Sequence, residues 1–204
     1  MAKRAADSSC DRKRRAGQYA GVWIAAALAA LLPQGAPSLP PTADRPSADE
    51  VKSAYLFNFG KFVEYPKGNP SLQTFDICVL GNDPIAHDLE ETTRNERMND
   101  VPVRVLHYDH AGEARDCAVV YMGGSEAARL DKDLTALEGS NALTVSDQPQ
   151  FLNHGGMIQF LLENSRIRFA VNLDAVGHTH FQLSSELLKV AVYVNTKPRQ
   201  EEKR

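Results

Sequence analysis

From Ser47 onward, apolar and polar positions fall into blocks that switch between helical and extended spacing. "SADEVKSAYLFNFGKFVEYP", Ser47–Pro66, opens with Ser47 and Glu50 at capping-box spacing and ends on proline, which predicts a helix from Ala48 to about Tyr65. On a helical wheel Val51, Ala54, Tyr55, Phe59, Phe62, Val63 and Tyr65 share an apolar arc, with Leu56 at its margin. Ser53, Gly60, Lys61 and Glu64 lie opposite. Two residues break the pattern. Asn58 falls inside the apolar arc, where it needs a hydrogen-bond partner. Phe57 falls in the polar arc, where an exposed ring is either covered by a loop or used for association.

Downstream, "TFDICVLG" (74–81), "CAVVYMG" (117–123) and "ALTVSD" (142–147) are compact apolar runs suited to buried strands. "VPVRVLHY" (101–108) alternates, and Pro102 places it at an edge or at a strand's first residues. Residues 83–96 and 125–139 read as helices, the second closed by Gly139. "MIQFLLENSRIRFAVNL" (157–173) reads as two strands about a polar "ENSR" turn. "FQLSSELLKVAVYV" (181–194) reads as a final helix with Ser184 at its cap. The predicted class is α/β: a three-layer fold with a mostly parallel central sheet flanked by helices, then a C-terminal hairpin and final helix.

Composition is ordinary for a globular chain, 43% hydrophobic and 24% charged over 204 residues. The net charge of -3 hides an asymmetry, because the first 36 residues are basic and the remainder is acidic. An acidic body without a basic stripe argues against nucleic acid as a partner. Arg12–Arg15, the apolar run Ala20–Leu32 and a Pro-rich exit make an export signal, with an uncleaved membrane anchor as the alternative. The run is short for a membrane span, which takes about 20 residues. The expected organisation is an export signal and linker (1–46), one folded domain (47–194) and a charged, loose tail (195–204), with the body in the periplasm.

Export places the body in an oxidising compartment. Cys10 precedes the apolar run, so Cys78 and Cys117 remain in the body. They fall in the first and third strands of the alternating region, which are neighbours in the common doubly wound order. That predicts a bridge, and two free buried thiols are the competing reading.

Signs of catalysis are sparse. "MGGSEA" (122–127) could bind an anion at a strand-to-helix turn, yet it lacks the dinucleotide pattern and the P-loop lysine. The histidines are scattered, and His178 and His180 would face opposite ways if extended, so no metal site is assigned. Gly155–Gly156 marks a turn or a close approach before a strand.

Six blocks in order, "KSAYLFNFGKFVEYP" (52–66), "ICVLGNDP" (77–84), "CAVVYMG", "ALTVSD", "GGMIQFLLENSRIRFAVNL" (155–173) and "LSSELLKVA" (183–191), resemble the YfiR family. These are exported bacterial proteins that bind the periplasmic domain of the membrane diguanylate cyclase YfiN and hold it inactive. The resemblance implies an α/β fold, homodimerisation, no catalytic residues, no cofactor, and a YfiN-like cyclase as partner. Its inter-strand cysteine pair corresponds to Cys78 and Cys117. A second cysteine pair of some relatives is missing, Tyr65 stands where Trp is usual, and Ala170 stands where Glu is usual. Candidate partner- or ligand-binding residues are Tyr55, Phe57, Asn58, Phe62, Glu64 and Tyr65 on the first helix, Gly155 and Gly156, Arg168 and Asn172, and Ser184 and Ser185. The alternatives are a periplasmic small-ligand binder feeding a sensor histidine kinase, and an enzyme built on the Gly123–Gly124 turn and Ser125.

Overall fold

A computed structural model of the chain describes residues 45–64 and 73–195. Helix α1 spans Ala48–Phe59, followed by a 3-10 turn (Gly60–Phe62) and the two-residue strand β1 (Val63–Glu64). Then come β2 (Phe75–Leu80), α2 (Ile85–Thr93), β3 (Arg97–Met98), β4 (Val101–Tyr108), β5 (Val119–Met122), α3 (Leu130–Leu137) and β6 (Leu143–Ser146). The C-terminal part holds β7 (Ile158–Glu163), β8 (Arg166–Asn172), α4 (Leu173–Val176), β9 (Gln182–Leu183), α5 (Ser185–Val190) and β10 (Tyr193–Asn195).

Eight strands form one sheet in the order β10-β8-β7-β6-β5-β2-β4-β3, and β1 pairs with β9 in a separate ribbon. Among the described residues, only β3–β4 and β7–β8 are antiparallel within the large sheet. The predicted three-layer α/β architecture is the observed one. Central strands β5 and β6 are buried along their whole length, as expected where helices cover both faces, whereas β4 alternates. Pro102 sits at the start of β4, which has only the short β3 outside it. Asn164 and Ser165 close the β7–β8 hairpin with positive φ, the backbone that two-residue hairpin turns require.

Two expectations need correction. The first helix stops at Phe59, not Tyr65, because the chain turns at Gly60 and Val63–Glu64 joins a strand some 120 residues later. Tyr65 itself lies outside the described residues. The final helix is only Ser185–Val190. Beyond it the β-branched and aromatic Val192, Tyr193 and Val194 favour extension, and β10 pairs in parallel with β8. Asn195, expected in the tail, is the last residue of that strand.

Each face of the sheet has its own core. One holds Ile77, Val79, Tyr121 and Val145 under α1 and α2; the other holds Cys78, Leu80, Val120 and Met122 under α3. Cys78 and Cys117 form a disulfide in this second core, with Cα atoms 6.1 Å apart. Cys117 lies two residues before β5, so the bridge joins β2 to the loop entering β5 and not two paired strand positions. In the chain-entropy view such a loop adds about 4 kcal/mol.

Candidate functional site

Helix α1 begins as its sequence demands. Ser47 Oγ accepts from Glu50 N at 3.0 Å, and Glu50 Oε2 accepts from Ser47 N at 2.6 Å. One face then packs on the hairpin: the rings of Tyr55 and Phe59 lie 5.1–6.0 Å, between centroids, from each other and from those of Phe160 and Phe169. A second face is also covered. Ser53 is fully buried and donates to the Ile85 carbonyl of α2, while Gly60 lets Phe75 and Met98 approach closely. Between these two small residues sits Phe57, only 8% exposed, with Lys61 Nζ 4.4 Å from its ring centroid. Ser53 and Gly60, taken as polar-arc positions, therefore close-pack while Lys61 and Glu64 of that arc stay exposed, and Phe57 is a core residue rather than an exposed contact.

Asn58 finds its partners. Its Nδ2 donates to the Ala54 carbonyl at 2.8 Å, and its Oδ1 accepts from Lys61 Nζ at 2.9 Å. Beyond it, β1 and β9 pair Glu64 with Gln182 and Val63 with Leu183, and Ser184 N donates to the Phe62 carbonyl at 2.9 Å. Ser184 Oγ accepts from Leu187 N and caps α5. This ribbon unites candidates from opposite ends of the domain: half-buried Asn58 and Phe62, exposed Glu64 and exposed Ser185, with exposed Lys61 and Gln182 added by the fold. The last two had no signal beyond nearness in sequence to Asn58 and Ser184.

The other candidates separate from this group. Arg168 is exposed on β8, opposite Leu161. Asn172 is buried at the far end of β8; its Nδ2 donates to the Leu152 carbonyl and its Oδ1 accepts from Ala175 N. It thereby anchors the turn that ends in Gly155 and Gly156. Gly155 is exposed at φ +95°, whereas Gly156 lies against the Phe151 ring, where a Cβ would come within 2.2 Å. Gly156 is thus a close-approach residue, and Gly155 alone of the pair offers surface.

The carboxyl ends of β2, β5 and β6 are where open α/β sheets usually receive ligands. Here the chain's own side chains crowd that place. Lys52 Nζ reaches Asp147 at 2.7 Å and Asp49 at 3.0 Å; burial pulls its pKa down, but these carboxylates outweigh that and raise it. Asp83, whose Oδ1 accepts from Ile85 N, lies against Gly123, and burial pushes its carboxyl above the ordinary range. Buried Glu126 lies against Gly81 and pairs with Arg129. An anion at the Gly123–Gly124 turn would meet the carboxylates of Asp83 and Glu126, which disfavours a phosphate site there.

Among the described residues no group of three or more His, Cys, Asp and Glu is placed to hold a metal ion, and no helix is long and apolar enough to cross a membrane. The apolar run Ala20–Leu32 lies outside the described residues. No curated protein matches the chain closely enough to count as a relative. Its fold is similar to a solved structure, a conserved domain protein from Vibrio cholerae O1 biovar eltor str. N16961, with a TM-score of 0.52 at 9% identity over 73% of this chain. The likeness spans 60% of that protein's length and concerns the fold alone. A model of the YfiR/HmsC-like family matches residues 49–192, well over half the sequence. The chain belongs to the YfiR/HmsC-like family.

Proposed function

We propose that this protein is a periplasmic repressor that docks on the periplasmic domain of an inner-membrane diguanylate cyclase and favours its inactive arrangement. Release then raises cyclic di-GMP synthesis. Family membership supports a regulator of this signalling, and the β1–β9 ribbon is the observation that carries the reading to particular residues. It brings Asn58, Phe62, Glu64 and Ser185 to one short ribbon and its flanks, while side chains crowd the crevice an enzyme of this class would use. A repressor shifts its target only by its differential affinity for the two states. Homodimerisation is part of the same proposal. β10 is an edge strand among the described residues; its Tyr193 is exposed, as are Val190 and Val192 just before it.

The test is capture of detergent-solubilised membranes from the source bacterium on the immobilised chain, followed by titration against the periplasmic domain of each cyclase recovered. Glu64→Lys with Ser185→Arg should weaken that binding about tenfold or more and leave the melting temperature unchanged. Recovery of a sensor histidine kinase and no cyclase would overturn the choice of partner. Unaltered affinity in the double variant would remove the ribbon as the docking surface.

A further inference from the structure

We propose that a cavity between α3, the amino end of β6 and α4 binds a small uncharged ring compound through a carbonyl or similar hydrogen-bond acceptor. This is a separate site from the ribbon, and it does not depend on the identity of the docking partner. The cavity measures about 540 Å³, within the range of small-molecule sites. Leu134, Leu137 and Met157 supply apolar wall, enough to desolvate a ring.

Two buried hydroxyls set the chemistry of the ligand. Ser140 and Thr144 both line the cavity and are only 8% and 3% exposed. Ser140 Oγ accepts from Ala142 N at 3.3 Å, and Thr144 Oγ1 accepts from Met157 N at 3.1 Å. Each hydroxyl keeps a proton to donate, and among the described residues no acceptor takes it. A buried donor left without an acceptor costs stability, so a ligand that offers one is favoured over an apolar molecule of the same shape. Charge gives neither sign a clear advantage. The wall mixes the carboxylates of Glu138 and Asp174 with the imidazoles of His154 and His178. Asp131 holds His154, and the Arg115 guanidinium covers the carboxyl end of α3 by donating to the carbonyls of Ala136 and Glu138. An ion would also lose its hydration on entry, a cost that an uncharged ring escapes.

Backbone keeps the opening clear. Exposed Gly139 and Gly155 both line the cavity at positive φ, and both have open space where a Cβ would project. Their conformations disfavour any side chain that would narrow the entrance.

NMR titration of the purified, oxidised chain with labelled methionine and threonine methyl groups tests the assignment. The probes are acetophenone and ethylbenzene, which share a ring and differ in the carbonyl acceptor. Acetophenone should shift the Met157 and Thr144 signals, leave those of Met98 and Met122 in place, and bind about fivefold or more tighter than ethylbenzene. Ser140→Ala with Thr144→Val removes both donors and should bring the two affinities together, whereas Thr144→Ser keeps its hydroxyl and should keep the preference. The ratio is read within one protein, so a change in that protein's stability does not enter it. Should the double variant not fold, Ser140→Ala alone should narrow the gap. An unmoved Met157 signal at about 10 mM acetophenone, equal binding of the two probes by the parent, or an unchanged preference once the hydroxyls are removed would each overturn the proposal.

Discussion

Asp83 stands where strands β2 and β5 end, with its carboxylate against Gly123 and half removed from water. Its folded pKa lies above its unfolded value, so the folded state holds the proton more tightly. Ionised Asp83 therefore subtracts stability at neutral pH, and that loss is relieved as pH falls through the raised value toward the ordinary carboxylate range. Asp83→Asn keeps an acceptor for Ile85 N and removes the charge. Its melting temperature should exceed the parent's at pH 7, with the gap closing near about pH 4; calorimetry across that range checks it. Gly156→Ala drives a methyl into the Phe151 ring and should cost about 1–3 kcal/mol by urea denaturation. The need of Asn58 for a partner was legible in the sequence. The burial of Phe57 was not, because small Ser53 and Gly60 look polar on a wheel yet serve to let α2, Phe75 and Met98 come close.

At the level of elements, local signals were dependable where a side chain acts on its own backbone. Ser47 begins α1, Ser184 begins α5 and the "ENSR" turn closes the hairpin, all as the sequence predicts. Ser47→Ala should cost about 1 kcal/mol, read from the urea midpoint. Ser165 holds φ +59° in the hairpin turn, so Ser165→Gly should stabilise by about 0.5–1 kcal/mol in the same measurement. Signals failed where the partner is distant. Nothing near Val63–Glu64 announces pairing with Gln182–Leu183, and nothing near Tyr193–Asn195 announces pairing with β8. The ribbon surface was therefore visible only as separate residues.

For the whole molecule, the alternation of strands and helices together with the common doubly wound order made the first and third strands, β2 and β5, neighbours, and so brought Cys78 near Cys117. What alternation could not give was the loop position of Cys117. Cys78→Ala with Cys117→Ala should lower stability by about 4 kcal/mol, measured by urea unfolding against the oxidised parent. The two cysteines are 39 residues apart in sequence, and the exposed turn after α2, which bears Arg94 and runs into β3 at Arg97, lies between them. A single tryptic nick in that turn thus severs the backbone without freeing either piece. On a denaturing gel the nicked protein should run as one band until a reductant is added and as two afterwards, so damage there would stay hidden in any preparation kept oxidised.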